Sequence, residues 1–258
     1  MRFTVLTLFP ELIDTFFSHG MVGRAIANGI IFGTAINIRD FAFNRHNSVD
    51  DRPYGGGCGM VMKPEPLALA IKEAKLSSPE SKVILMSPQG ETFDQKIACQ
   101  LASAMQGLIF VCGRYEGIDE RVVAQFVDEE LSIGDYVMTG GELASMVIMD
   151  SVIRLLPGVL GGSESAQMDS FINGRLEHAH YTRPPVFDEI AVPDILVGGN
   201  HKKIEEWREA SSLKRTFLKR PDLFEKDGCS DQEKKVLKQW SCELKDWIEK
   251  LETLINQS

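Results

Sequence analysis

The sequence lacks the cysteine patterns of disulfide-bonded and zinc-binding proteins. Its five cysteines form no CxxC pair and no even-numbered framework. They are Cys58, Cys99, Cys112, Cys229 and Cys242. Cys99 and Cys112 lie in apolar surroundings, where a free cysteine usually behaves as a small hydrophobic residue. The pattern predicts a protein of a reducing compartment.

Long apolar runs are also missing. No stretch approaches the roughly 20 residues that a membrane-spanning helix requires. The start of the chain, Met1–Pro10, shows no basic region followed by an apolar core and a small-residue cleavage site. We therefore expect a cytoplasmic protein with no membrane partner.

Several standard catalytic motifs do not occur. There is no GxxxxGK[ST], no GxGxxG after a strand, no GxSxG and no HExxH, which disfavours the common nucleotide, dinucleotide, serine-hydrolase and zinc-protease sites. His178 and His180 could share one side of a strand as metal ligands. No cysteine or carboxylate is expected at zinc-site spacing, so a surface or substrate-contacting role is favoured. Cys58 lacks an identifiable base that would make it a nucleophile.

The net charge of −9 argues against indiscriminate binding to nucleic acid, because such binding relies on many phosphate contacts. One segment, His201–Arg220, is nevertheless rich in cations and also contains Trp207 and Phe217. Its cations are Lys202, Lys203, Arg208, Lys214, Arg215, Lys219 and Arg220. A solvated helix face and a nucleic-acid contact both remain open for this segment.

Strands and helices alternate from Arg2 to about Leu156, which predicts an α/β fold with a largely parallel sheet. The glycine-rich break after Leu156 marks a domain boundary near Gly161. We expect an α/β domain over residues 1–160, a flexible linker over 161–175 and a helical domain over 176–258.

Glycine-bearing loops follow three candidate buried strands. Val83–Met86 stops at Ser87–Gly90, and Leu108–Cys112 stops at Gly113–Gly117. The third segment leads into the glycine-rich run Ser132–Leu143. Because parallel strands place their carboxyl ends on one edge of the sheet, these loops should converge on one small-molecule pocket. Independent tight turns are the alternative interpretation.

A further glycine cluster, Tyr54–Met60, follows the polar stretch Asn44–Pro53. This connection is too long and polar for an idle loop in a compact domain, which favours a substrate-binding loop. A disordered excursion is the alternative.

These motifs together resemble the bacterial tRNA (guanine-N1)-methyltransferases. The resemblance extends from Arg2 to about Phe224, in the same order throughout. The segments that carry it are Tyr54–Met62, Ser87–Gly90, Cys112–Arg121, Ser132–Leu143, Leu156–Gly161, Asp169–Phe171, Tyr181–Pro184, Gly199–His201 and Trp207–Arg208. Ala144 and the segment His178–His180 depart from the commonest family pattern.

The resemblance implies a SPOUT-type α/β fold, with a trefoil knot at the cofactor site and a smaller helical C-terminal domain. It further implies a homodimer with each active site at the interface, S-adenosylmethionine as methyl donor, and tRNA as substrate. The methylated atom would be N1 of guanine 37, immediately 3′ of the anticodon. A SPOUT methyltransferase acting on another RNA position and a catalytically silent RNA-binding module are the alternatives.

Site residues carry over at matching positions. The implied cofactor pocket comprises Met86, Ser87, Pro88, Gly113, Tyr115, Glu116, Gly117, Ser132, Ile133, Gly134, Asp135, Tyr136, Val137, Met138, Gly140 and Gly141. The implied tRNA-binding residues are His46, Arg114, Arg183, Asn200, Arg208, Lys214 and Arg215. The resemblance also suggests dependence on Mg²⁺, for which the sequence gives no ligand set beyond a guess at Glu116.

Two further residues match catalytic positions. Asp169 matches the general base that removes the N1 proton of guanine. Arg154 matches the cation that stabilises charge developing on O6. From the residues alone, Asp169 could equally cap a helix, and Arg154 could offset a helix dipole.

Overall fold

The computed structural model describes residues 1–43, 46–161 and 169–255. The chain divides into two compact units, Met1–Ala166 and Gln167–Ser258. Asn44 and Arg45 of the predicted substrate loop, and residues 162–168 of the predicted linker, lie outside the described residues. Residues 169–175, also assigned to the linker, belong to the second unit.

The first unit contains a five-stranded sheet in which all neighbouring strands are parallel. Its strands are β1 (Arg2–Thr7), β2 (Phe32–Asn37), β5 (Lys82–Thr92), β6 (Leu108–Cys112) and β7 (Glu129–Ser132), in the order β2-β1-β6-β5-β7. Two short strands, β3 (Asp50–Asp51) and β4 (Val61–Met62), form a separate antiparallel pair. The predicted α/β fold with a largely parallel sheet is confirmed.

Helices cover both faces of this sheet. They are α1 (Pro10–Ser18), α2 (Gly20–Ala27), α3 (Pro64–Ser77), α4 (Gln95–Ala104), α5 (Glu120–Phe126), α6 (Glu142–Ile153) and a short 3₁₀ helix (Ile38–Phe41). Phe110 of β6 packs in the core beneath α1, α2, α4 and α6, whereas its neighbours Ile109 and Val111 pack on the opposite face with α3. Central strands are buried on both faces, which explains why they read as continuous apolar runs.

The predicted end of β5 at Met86 is wrong. Both Met86 and Glu91 pair with Leu131 of β7, so Ser87–Gly90 form an irregularity within one long strand. Pro88 has no N–H to donate to a ladder, and such residues are accommodated at bulges. A side chain at Gly90 would collide with the backbone of Glu130, so β5 and β7 come closest where only glycine fits.

The second unit is mainly helical. It contains the hairpin β8 (Val186–Phe187) and β9 (Ile190–Ala191), followed by α7 (Asp194–Val197), α8 (His201–Lys219), α9 (Asp222–Asp227) and α10 (Asp231–Ile255). Leu213, Thr216 and Leu223 are buried between its elements. Among the helices in the described part of the chain, none is both long and apolar enough to cross a membrane.

Helix α8 runs without a break from His201 to Lys219. The apolar periodicity fails at Ser211 and Ser212 because their hydroxyls bond the backbone of the preceding segment. Ser211 Oγ accepts from the Ala179 N–H at 3.1 Å, and Ser212 Oγ donates to the Leu176 carbonyl at 2.6 Å. Polar packing replaces apolar packing at this point of the helix.

Candidate active site

The three glycine-bearing segments line one cavity of about 310 Å³, which lies at the irregularity of β5 and at the carboxyl ends of β6 and β7. Their predicted convergence is confirmed. All of the predicted cofactor residues except Asp135 line this cavity, and Asp135 is exposed beside it. The sequence did not single out its further wall residues Leu85, Gln89, Ile118, Glu120, Val123, Glu130, Leu131, Thr139 and Ala144.

Gly141 lies where the three loops meet. Its N–H donates to the Gly113 carbonyl at 3.1 Å. A Cβ at this position would lie 2.8 Å from Met86 Cβ and 2.9 Å from Cys112 Cα. Because real Cβ atoms do not approach backbone atoms so closely, the junction requires glycine.

The loop Ser132–Gly141 is shaped by local contacts. Gly134 has φ of +144°, a conformation that side chains rarely adopt. Ser132 Oγ accepts from the Gly134 N–H at 3.2 Å. The Tyr136 hydroxyl donates to the Ile133 carbonyl at 3.1 Å, folding the ring back over Gly134. Contacts within the loop therefore fix its first half, Ser132–Tyr136.

The loop after β6 turns tightly and packs against the glycine cluster before β4. Tyr115 has φ of +59°, and the Gly117 N–H donates to the Arg114 carbonyl at 3.1 Å. Across the junction, the Glu116 N–H donates to the Met60 carbonyl at 3.0 Å. The Met62 N–H donates to the Gly117 carbonyl, also at 3.0 Å. The predicted substrate loop thus ends against the cavity wall, while its role in binding substrate remains a prediction.

A buried ion pair joins two of the cavity loops to β1. The Glu142 side chain is 2% exposed, and its Oε2 lies 3.0 Å from Arg114 Nη2. Thr7 Oγ1 donates to Glu142 Oε1 at 2.7 Å. Arg114 also donates to the Thr139 carbonyl at 3.2 Å, and its guanidinium stacks 4.3 Å from the ring centre of Phe9. These contacts hold the Arg114 side chain within the first unit. The contact with tRNA that the resemblance implies for Arg114 stays a prediction.

Cys112 borders this ion pair and is fully buried. Burial raises the pKa of the Cys112 thiol far above its usual range, and the negative charge of Glu142 raises it further. The thiol donates to Ser145 Oγ at 3.6 Å. Such a cysteine packs as a small hydrophobic residue and is not a nucleophile at neutral pH.

The two predicted catalytic residues belong to different units. Arg154 follows the last turn of α6, is half-buried, and donates its N–H to the Asp150 carbonyl at 3.1 Å. Asp169 is half-buried in the second unit and begins a tight turn, in which Phe171 has φ of +74°. The Ile172 N–H approaches the Asp169 carbonyl at 3.4 Å.

The predicted tRNA-binding residues lie in both units. His46 and Arg183 are exposed. Asn200 caps α8, its side-chain oxygen accepting from the Lys203 N–H at 3.2 Å. Arg208 pairs with Glu205 at 3.4 Å and Lys214 with Glu243 at 3.6 Å, and Arg215 is half-buried. Exposed carboxylates thus offset part of the positive charge of α8.

One expectation about metal ligands is wrong. The sequence offered no carboxylate partner for His178 and His180, yet Glu177 lies beside them, with Oε1 2.9 Å from His180 Nε2. In the described part of the chain, these three side chains lie close enough to one another to share a metal ion. The carboxylate was missed because it directly precedes His178, and an adjacent residue was not considered at ligand spacing.

Comparison with known proteins identifies the family. Residues 1–226 match the family tRNA (Guanine-1)-methyltransferase TrmD. A protein of Desulfatibacillum aliphaticivorans named tRNA (guanine-N(1)-)-methyltransferase is 52% identical over 96% of this chain and 94% of its own length. Proteins of the same name are 51% identical in Anoxybacillus flavithermus, covering 93% of this chain and 98% of theirs, and 54% identical in Desulfitobacterium hafniense, covering 88% and 85%. The resemblance drawn from the motifs is confirmed: the chain belongs to the TrmD family of tRNA (guanine-1)-methyltransferases.

Proposed function

We propose that this protein transfers a methyl group from S-adenosylmethionine to N1 of guanine 37, immediately 3′ of the anticodon in tRNA. Family membership makes it a tRNA (guanine-N1)-methyltransferase. The observation that carries the finer proposal is the cavity in which the three loops of the family motifs meet. Since the substrate is tRNA, the reaction takes place in the cytoplasm.

The cavity suits the proposed cofactor in size and charge. Its volume of about 310 Å³ falls within the usual range for small-ligand pockets. S-adenosylmethionine carries positive charge on its sulfonium and ammonium groups and negative charge on one carboxylate, so its net charge is positive. The cavity wall includes the carboxylates of Glu116, Glu120 and Glu130, whereas the charge of Arg114 is balanced by Glu142. The acidic wall therefore complements a cationic ligand.

The glycines suit the rest of that cofactor. Gly113 and Gly140 are partly exposed on the cavity wall, where a flat adenine ring can approach closely and bond peptide groups. When bound, S-adenosylmethionine supplies an electrophilic methyl group on its sulfonium. The protein then has to remove the N1 proton of guanine and stabilise the charge that remains.

Asp169 and Arg154 divide this chemistry. Guanine N1 is a poor nucleophile until its proton leaves, and the Asp169 carboxylate accepts that proton as the N–CH₃ bond forms. Negative charge develops on N1 and O6 as the proton leaves, and the Arg154 guanidinium stabilises it until N1 takes the methyl group from the sulfonium, which becomes a neutral thioether. Arginine suits this role because its planar fork matches the edge of guanine.

We further propose the knotted SPOUT topology and a homodimer. Membership of the family supports the knot, because the family motifs occur here in the same order. Leu143 and Val147 support the dimer: they are 57% and 47% exposed and lie one turn apart on α6. A second copy would cover this apolar face and complete the active site. Glu116 on the cavity wall is the proposed oxygen ligand for Mg²⁺.

Substitution of Asp169 tests the assignment of the base. Asp169→Ala should lower kcat for tRNA methylation by at least about 100-fold, the usual contribution of general base catalysis. The affinity for S-adenosylmethionine, measured by calorimetry, should stay unchanged because the cofactor residues lie in the first unit. Asp246→Ala, at an exposed carboxylate of α10, is the matched control.

Retention of most turnover by Asp169→Ala would show that Asp169 is not the base. Arg154→Ala should also lose turnover, and Arg154→Lys should not restore it fully, because an ammonium lacks the planar fork. Full activity of the lysine variant would show that only a positive charge is needed.

A further inference from the structure

The second unit holds a group of metal-binding side chains that the proposed methyl transfer does not use. Glu177, His178 and His180 each offer one ligand atom, and these three atoms all lie within 4.8 Å of one another. Two imidazoles and one carboxylate form a ligand set found in protein zinc sites, where water completes the coordination.

Helix α8 fixes the backbone that carries these ligands. The Leu176 N–H donates to Thr216 Oγ1 at 2.9 Å, and Ser212 Oγ donates to the Leu176 carbonyl at 2.6 Å. Ser211 Oγ accepts from the Ala179 N–H at 3.1 Å. Thr216 is fully buried. The ligands therefore project from a segment held on both sides of Glu177 and His178, which lowers the entropy cost of bringing them together.

The hydrogen bond of the His178 imidazole leaves its other ring nitrogen available to a metal ion. His178 Nδ1 lies 3.0 Å from the Ala179 carbonyl, which can only accept, so this nitrogen carries the proton. The lone pair is then on Nε2, the tautomer that binding of a metal through Nε2 requires. The Trp207 ring packs edge-on at 6.3 Å from the His178 ring centre and limits its rotation.

The second imidazole already faces the carboxylate. His180 Nε2 lies 2.9 Å from Glu177 Oε1, and the two histidine ring centres are 4.5 Å apart. Because a carboxylate only accepts, His180 Nε2 carries the proton of this contact, and a dication bound between the two atoms would displace that proton to solvent. The Glu177 and His180 side chains are 32% and 63% exposed, so water can complete the coordination shell.

We propose that Glu177, His178 and His180 bind a first-row transition-metal dication, with Zn²⁺ as the best fit. Imidazole favours zinc and its neighbours, whereas Mg²⁺ prefers a shell of oxygen ligands. The site is therefore separate from any Mg²⁺ site at the cofactor cavity. The inference rests on the geometry of this segment and does not depend on the proposed function.

Calorimetric titration of the full-length protein with ZnCl₂ tests the inference. The wild type should show one binding event at this site, and the double variant His178→Ala/His180→Ala should lose it. The double variant keeps all five cysteines, so any heat that it retains comes from another site. His201→Ala, at an exposed histidine of α8, is the matched control and should bind Zn²⁺ as the wild type does.

Two further measurements define the site. Substituting a residue that only hydrogen-bonds a metal ligand typically lowers metal affinity by about 10- to 100-fold. Glu177→Gln weakens a direct ligand, so it should lower the affinity for Zn²⁺ by at least about 10-fold. Titration with MgCl₂ should give no event that the histidine substitutions remove. Absence of Zn²⁺ binding to the wild type, or an unchanged event in a double variant with native circular dichroism, would overturn the inference.

Discussion

Glu142 is expected to stabilise the first unit by pairing with Arg114, and Glu142→Gln removes its charge with little change in shape. The Thr7 hydroxyl can still donate to the glutamine oxygen. The glutamine NH₂ group, however, would face the Arg114 guanidinium where the Glu142 carboxylate now lies 3.0 Å away. The partly buried Arg114 guanidinium would then lack its counter-charge.

The expected loss of unfolding free energy follows from how deeply the ion pair is buried. Removing one partner of a buried ion pair costs about 3–5 kcal/mol, because the other charge is left uncompensated. The Arg114 side chain keeps 21% exposure, so water can hydrate part of its charge. We therefore expect a loss near the lower end, about 3 kcal/mol. With a urea m-value of roughly 2 kcal/mol/M, the unfolding midpoint of this unit would fall by about 1.5 M.

The chain contains a separate reporter for each unit. Cys112 is fully buried in the first unit, so its alkylation, measured by mass spectrometry, reports unfolding there. The three tryptophans, Trp207, Trp240 and Trp247, all belong to the second unit, so fluorescence reports that unit. Glu142→Gln should expose Cys112 at lower urea while the fluorescence transition stays in place.

Glu129→Gln is the matched control. It breaks the ion pair with Lys82, which has the shorter distance of 2.7 Å but is partly exposed, so its loss should cost less than about 1 kcal/mol. If the urea midpoint for Cys112 alkylation falls no further in Glu142→Gln than in Glu129→Gln, the reasoning from burial is refuted.

Three further predictions follow from the cavity, the apolar face and helix α8. Gly141→Ala should weaken S-adenosylmethionine binding in calorimetry, because its Cβ would meet the Cys112 backbone at 2.9 Å; unchanged affinity would show that the junction can open. Leu143→Glu/Val147→Glu should give an inactive monomer by sedimentation, and an active monomer would contradict the shared active site. Replacing Arg208, Lys214 and Arg215 of α8 together with alanine should lower the affinity for tRNA. The slope of the logarithm of this affinity against the logarithm of salt concentration should fall by roughly one unit per lost phosphate contact. The affinity for S-adenosylmethionine should stay constant, and unchanged tRNA binding would show that these cations only form a solvated helix face.

The parallel sheet and the converging loops were predictable because their signals are local. Buried strands such as Leu108–Cys112 read as short apolar runs, and the glycines that follow mark the places where the backbone turns or approaches a ligand. The bulge at Ser87–Gly90 was not predictable in this way. Proline and glycine are equally typical of a loop, and only the pairing with Leu131 reveals that the strand continues.

The buried charges were also hidden from the sequence. Glu142 follows two glycines at the start of a helix, where an acidic residue is ordinary and usually exposed. Its burial depends on Arg114 and on Thr7, which are 28 and 135 residues away in the chain. Partners so distant cannot be identified from spacing, so Glu142 was not recognised as part of the site, and the tRNA contact that the resemblance implies for Arg114 stays a prediction.

Mapping of modified nucleotides in tRNA from cells depleted of this protein tests the central claim most directly. The proposed function predicts loss of N1-methylguanosine at position 37, immediately 3′ of the anticodon, and its return when the wild-type protein, but not Asp169→Ala, is supplied. Undiminished N1-methylguanosine at position 37, or loss of a methyl group from a different position only, would contradict it.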